Sequence, residues 1–476
     1  MTTLVPESHP GTDPGPDTTD IATTLRAEVR GRVLTPADDG YAELATPWNV
    51  AAASTPVAVV EVLGTADVAA TVRVATRHGL DVAVQATGHG AWGYTRPTVL
   101  VHTGRLDEVT VDPATRSARV GAGVRWQQVL DAAAPYGLSG LAGSAPDVGV
   151  VGYHTGGGLS PVARTYGYAS DRVTAFDVVT GDGEIRRATP DRNPALFWAL
   201  RGGKGALGIV TALEFELLPV AELYGGCLYF DGADLPTVLR TWREWSATLP
   251  EQASTSLAVL RLPEMPMVPP PLAGRCTVAV RFAWIGDPED GARTIAPVQQ
   301  AAPVILGGTG VLPFSALGSI HADPVDPMPV HERSLLLREL PDAAADTLLE
   351  VAGADSGSPL VIVELRLLGG AIAREPEHPS AVCHRDAAFT LLAIGVLAPP
   401  IAEATVASAQ AVLDSMSAWS DGAVQPNFAA SGDPLQAARK YDDATLARLS
   451  TLAATYDPDG VILASRAIRA ACAARA

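Results

Sequence analysis

The sequence predicts an α+β fold of two modules, and three observations carry the prediction. β-Branched strand-like runs alternate with amphipathic helical ones, Gly and Pro turns join neighbouring strands as hairpins, and Leu218-Pro219 interrupts the pattern before a second set of strands and helices. With 476 residues, 47% of them hydrophobic, the chain can bury more than one core. The predicted division is a disordered tail over 1–20, a first module over 21–219, a second module over 220–420 whose antiparallel sheet is covered by helices, and a closing segment over 421–476.

The elements follow in order. A helix is predicted over 20–34, then a polar connection through Pro47, Trp48 and Asn49. Strand 57–62 leads to helix 66–77, with Asp67 as its cap. Strands 81–86 and 98–103 come next, and 109–112 pairs with 117–121 across Pro113-Ala114-Thr115. Helix 125–136 closes at Gly137. A second hairpin joins 173–180 to 184–188 around Gly181-Asp182-Gly183, both glycines supplying positive φ, before helix 193–200 and strand 209–218. In the second module, strands 226–230, 277–284 and 360–367 alternate with helices 235–249, 342–352 and 402–418. The Pro-rich stretch 262–271 and the loop 322–329 read as surface excursions, and no internal repeat is present.

Composition excludes several function classes. A net charge of −18 disfavours nucleic acid and anionic membrane surfaces, both of which need basic partners. No apolar run has bilayer length and no signal peptide opens the chain, so a cytoplasmic protein is expected, as a monomer or homodimer. Cys227, Cys276, Cys383 and Cys472 show no metal or disulfide spacing and read as free buried thiols. No histidine pair has metal-ligand spacing, so no metal is expected. Lysine occurs only at Lys204 and Lys440, which argues against lysine-based catalysis.

Two motifs carry chemistry. Thr87-Gly88-His89-Gly90 ends a β-branched run in glycines that let backbone approach a planar ligand, with one imidazole as the nucleophile in reach. Gly156-Gly157-Gly158 can form a concavity of successive N–H groups suited to a pyrophosphate. A Walker lysine and an N-terminal G-x-G-x-x-G are both absent, which disfavours a nucleoside triphosphatase.

Thr87-Gly88-His89, the stretch from Ala145 through Val148, Gly149 and Gly152 to Gly158, and the run from Trp198 through Lys204 to Gly208-Ile209-Val210-Thr211 occur in an order and spacing that resemble the berberine bridge enzyme-like oxidases of the vanillyl-alcohol-oxidase superfamily. Asn427-Phe428, Tyr441, Arg448 and Tyr456-Asp457-Pro458 are similar to that family's C-terminus. The resemblance implies a PCMH-type FAD-binding domain in two parts, the first module and the closing segment folded back onto it, with the sheet of the middle region over the flavin. It assigns cofactor contacts to Gln85, Thr87, Gly88, His89 and Gly90, to Ala145, Val148, Gly149, Gly152, Tyr153 and His154, to Gly156, Gly157 and Gly158, and to Gly208, Ile209, Val210 and Asn427. His89 matches the histidine bonded to the flavin 8α-methyl, and Ala145 stands where many relatives carry a second, cysteinyl tether, so a single covalent link is expected. Val148 matches a position favouring reaction with O2, and Tyr153 replaces a histidine that contacts the ribityl chain. In the closing segment several usual amide side chains are missing, and Ser465 is a candidate replacement for one.

The catalytic base is not evident. Gln425 stands where carbohydrate-oxidising relatives have a tyrosine, and an amide takes no proton. After His384-Arg385, where plant-type relatives place an acid, the chain runs through apolar Leu391, Leu392 and Ala393. Tyr153, His154 and Glu364 remain candidates, although Glu364 and Arg366 share a strand face and can pair structurally. The resemblance therefore implies an FAD-dependent oxidase acting on a hydrophobic small molecule of secondary metabolism and on O2. A flavoprotein that sequesters a drug-like ligand, or one that catalyses a redox-neutral cyclisation, remains open. Bleaching of the flavin by substrate separates the oxidase from a binder, and unchanged product mass marks the cyclisation.

Overall fold

The computed structural model describes residues 18–475, so the predicted tail lies almost entirely outside the described residues. Three sheets organise the chain. The four-stranded sheet orders Arg32–Leu34, Ala58–Glu61, Thr98–His102 and Asp81–Gln85, the last three mutually parallel. Its strands carry apolar runs between polar ends, and helix Thr65–Arg77 packs on them to enclose a core of Val60, Val68, Val72 and Val99. The five-stranded sheet is antiparallel and contains both predicted hairpins, with Gly208–Glu216 at its centre.

The seven-stranded antiparallel sheet begins with Glu222–Asp231 and also takes up Ala253–Arg261, Cys276–Trp284, Val304–Pro313, Val330–Leu337, Ile362–Leu367 and Phe389–Val396. Alternation along these strands sorts two faces. Leu257, Val280, Leu365, Leu391 and Ala393 pack under helices Leu235–Ser246, Pro288–Gln299, Asp342–Ala352 and Ala402–Ser415. The opposite face turns toward the first module and is polar. Arg281, Ser256, Arg366 and Thr390 form one cross-strand row, and Glu364, Leu392 and Ser334 the next.

The closing segment lies against the first module: Val82 N–H donates to Val461, and Tyr441 Oη–H to the Gly202 carbonyl at 3.0 Å. Among the described residues no helix is long and apolar enough to cross a membrane, and no group of three or more His, Cys, Asp or Glu side chains is arranged to hold a metal ion.

Several local expectations are corrected. The helix predicted over 20–34 ends at Glu28, and Arg32–Leu34 becomes an edge strand. Asp67 lies inside its helix, where its carboxylate accepts from the Leu63, Arg30 and Gly31 amides and so ties the helix to the preceding chain. In the second hairpin only Gly183 has positive φ, at 76°. Gly181 is required for space, since a Cβ there would lie 2.1 Å from Asp457 Oδ1. Val304–Pro313 was not expected as a strand because glycines interrupt its pattern.

Candidate active site

Strand Asp81–Gln85 delivers the loop Thr87–Gly90 to the junction of the two modules. Gly88, at φ 78°, lets the loop lie against Pro47, and Trp48 N–H then donates to the Thr87 carbonyl at 2.9 Å. This places the Trp48 ring on the His89 imidazole, with centroids 4.6 Å apart and planes 13° from parallel. His89 Nδ1 is 2.8 Å from Thr87 Oγ1, whereas Nε2 lies 3.4 Å from Asp147 Oδ2. His89 Nε2 and Asp147 Oδ1 are buried without a hydrogen-bond partner.

Four predicted segments meet here. Gly149 packs beside Ala86 and Thr87, joining the first motif to the helix Val150–Thr155. Asn427 Nδ2–H donates to the Tyr153 carbonyl at 2.9 Å, and Asn427 Oδ1 accepts from the Lys204 ammonium, which also donates to the Gly152 carbonyl at 2.9 Å. Gly156 is glycine because a Cβ would fall 2.1 Å from Asn427 Oδ1. Beyond Gly152 a Cβ would meet nothing within 4 Å, so the backbone there borders open space.

Lysine-based catalysis was not expected, and the Lys204 ammonium lies at the centre of this hydrogen-bond network. Burial first, and then the charge of Lys440, lower it to about 7, with Glu332 opposing the shift. Glu332 is the residue that sequence reasoning missed. Asn49, next to Trp48, exchanges hydrogen bonds with Val330 and so anchors the start of Val330–Leu337 beside the His89 loop. Two residues on, Glu332 is exposed at its tip while its carboxyl lies near Arg366 and Lys204, and desolvation by the surrounding protein raises it to about 7 against their pull. An acid just past an Asp- and Pro-rich coil carries no motif, so only the fold reveals it.

The proposed bases fare differently. His154 is wedged against Trp126 and Phe215, bonded to its own helix at Val150, and burial lowers it to about 4, so it serves the core. Tyr153 packs edge-on to Trp126, and burial pushes its hydroxyl well above the ordinary value. Glu364 is held between Arg281 at 2.7 Å and Arg366 at 2.8 Å, which together with the neighbouring His321 keep it well below the ordinary carboxylate range despite its burial. It is a structural anion, not a proton acceptor. Gln425 donates to Tyr168 Oη at 2.9 Å and is buried. Leu391 and Ala393, in the apolar run after His384-Arg385, face the helices.

Cofactor positions are sorted in the same way. The Gly156 and Gly157 amides donate to Tyr153 and His154, so the glycine-rich loop spends its N–H groups internally and packs around Tyr153, Tyr168 and Asn427. The amides of Gly88, His89 and Gly90 bond to no protein group among the described residues, so the anion-binding concavity belongs to the first motif. Gln85 points away, its amide on the Leu44 and Thr46 carbonyls. Gly208 makes room for the Val179 carbonyl, while Ile209 and Val210 side chains are core. Ala145 offers no thiol, Val148 is half-buried beside the motif, and Ser465 is fully buried away from the cleft. The orphaned His89 and Asp147 atoms, the free amides and the open space beyond Gly152 fit a flavin dinucleotide.

Residues 56–189 match the family described as FAD binding domain. The FAD-linked oxidoreductase sorD of Penicillium rubens is 27% identical, over 93% of this chain and 96% of that protein. The (R)-6-hydroxynicotine oxidase of Paenarthrobacter nicotinovorans is 32% identical over 43% of this chain, a match that spans under half of that protein, 45%. Among solved structures, Physcomitrella patens BBE-like 1 superposes with a TM-score of 0.79 at 19% identity, covering 93% of this chain and 97% of that one. The chain thus carries an FAD binding domain, is similar in sequence to FAD-linked oxidoreductases and shares the fold of a BBE-like protein.

Proposed function

We propose that the chain is an oxidase that removes hydride from a C–H bond beside an O–H or N–H group of a small molecule, with Glu332 accepting the proton. The observation that carries this reading is the placement of the Glu332 carboxyl near Lys204 and Arg366 at the cleft, where desolvation raises it to about 7. When bound, FAD supplies the two-electron acceptor for that hydride and passes the electrons to O2, giving H2O2.

The chain's own residues hold and bias that chemistry. His89 is the single covalent tether, with Thr87 and Asp147 fixing the imidazole and Trp48 covering its face. The free amides of 88–90 take the phosphates. Lys204 braces Asn427 against Gly152 beside Glu332, whose ionised form is the base. Val148, half-buried and β-branched, favours O2 as the acceptor. The polar cleft face replaces the hydrophobic substrate expected from sequence. A tailoring role in secondary metabolism, a cytoplasmic location and a monomer or homodimer without nucleic-acid or membrane partners complete the reading.

The missing base had left a binder without turnover open, and Glu332 fills that gap. Anaerobic mixing with substrate bleaches the flavin of an oxidase but not of a binder. The tether has its own test. Denatured protein is expected to retain a mass increment of one FAD, absent in His89→Ala; flavin that washes out in acid from the wild type overturns it.

A further inference from the structure

We infer that a small cavity between the polar sheet face and the segment after the glycine-rich loop is a carboxylate subsite, so that the substrate of the proposed oxidase is an anion. This deepens the oxidase reading and rests on it. The cavity is bounded by Arg281, Arg366, Ser254 and His321 from the second module and by Arg164 from the first. It begins one residue beyond Gly158, at Leu159, and Arg366 lies 5.4 Å from the Phe428 ring, beside Asn427, so it adjoins the cleft described above.

Its lining is unusual for a protein interior. Three guanidinium groups line it; Arg281 and Arg366 share the Glu364 carboxylate, with Glu332 also acting on Arg366 and Asp323 on Arg281. Arg164 spends its N–H groups on the Ala253, Leu368 and Leu249 carbonyls and contributes charge alone. Arg281 Nε, Ser254 Oγ and the one N–H of the neutral His321 imidazole are donors buried with no hydrogen-bond partner, in residues 4%, 8% and 7% exposed. Buried donors without partners cost free energy, and unpaired positive charge costs more. An acceptor-only ligand atom removes both costs at once. The space open to the centre of a water-sized group is about 30 Å3. That admits roughly two such groups, which is the footprint of the two oxygens of a carboxylate. A ring system does not fit, so the cavity receives a head group while the rest of the substrate extends into the cleft.

The test uses the flavin-loaded protein titrated with benzoate and, separately, with benzamide, its neutral counterpart, followed by calorimetry and by perturbation of the flavin absorbance. Benzoate is expected to bind about tenfold tighter or more, as hydrogen bonds to a charged acceptor outweigh neutral ones. Arg281→Met is expected to abolish the preference and Arg281→Lys to restore part of it. Should Arg281→Met fail to fold, Ser254→Ala and His321→Leu each reduce benzoate binding while leaving benzamide unchanged. Equal affinity for the two ligands, or benzoate binding indifferent to these substitutions, shows that the cavity holds only water and overturns the inference. Anion preference in a protein whose flavin no substrate bleaches keeps the subsite and removes the oxidase reading. Bleaching by neutral substrates without anion preference does the reverse.

Discussion

Glu332→Gln is expected to slow reduction of the flavin by substrate about 10²–10⁴-fold, the usual contribution of a general base, while the bound flavin and its visible spectrum persist. Glutamine keeps the side chain's size and shape but takes no proton. The pH dependence supplies an independent sign. Because burial raises the carboxyl to about 7, the ionised base accumulates as pH rises through that value, and the rate of anaerobic reduction is expected to climb across the same window. In Glu332→Gln that rising limb disappears. A limb that persists in the variant assigns it to another group, of which Lys204, lowered to about 7 by its own burial, is the neighbour with matching titration. The expected outcome is read by stopped-flow absorbance from pH 5.5 to 9, where product release and O2 play no part.

Glu364→Ala carries the largest expected effect on stability. The carboxylate is 3% exposed and neutralises Arg281, 5% exposed, and Arg366, 14% exposed. Deleting it leaves buried guanidinium charge without an opposite partner, which costs about 3–5 kcal/mol when one member of a buried pair is removed. The midpoint of urea unfolding is expected to fall accordingly with little change in slope. Acid behaviour follows from the direction of the shift. The native carboxyl is held below the ordinary value of 4.5, so its contribution is complete above that value and is lost only as pH falls through the depressed native one. Between pH 5 and 8 the wild type loses none of it. An unchanged urea midpoint in Glu364→Ala means that the cluster is hydrated and contradicts the burial argument.

Legibility in the sequence tracked the range of the interactions involved. Hairpins and the loop Thr87–Gly90 were readable because a turn is decided by adjacent residues such as Gly183 and Gly88. The convergence of Gly152, Gly156 and Asn427 followed from motif order, since each sits in a stretch whose pattern is local. Glu332 was not readable. Its strand is fixed by Asn49 from 281 residues away, and a His-Glu-Arg triplet after a Pro-containing loop has no alternation of its own to announce a strand. His154 misled for the complementary reason: a polar residue in a cofactor motif suggests a contact, but helical phase turned it inward against Trp126. Charge clusters were half visible. The pairing of Glu364 with Arg366 lay within one strand, whereas Arg281 comes from a strand that only the sheet order brings near.

The near absence of lysine has a practical side. Lys204 and Lys440 are the chain's only lysines, Lys440 is 5% exposed, and burial lowers both ammonium groups, to about 7 and about 8. Acylating reagents, which consume only the uncharged amine, therefore find no ordinary lysine on the outer surface and two readily deprotonated amines inside. On this protein a general protein label becomes a reporter of the cleft: the extent of acylation at Lys204, followed by peptide mass, registers whether the cleft is filled, and amine-directed immobilisation has little else but the chain's own α-amino group to grip.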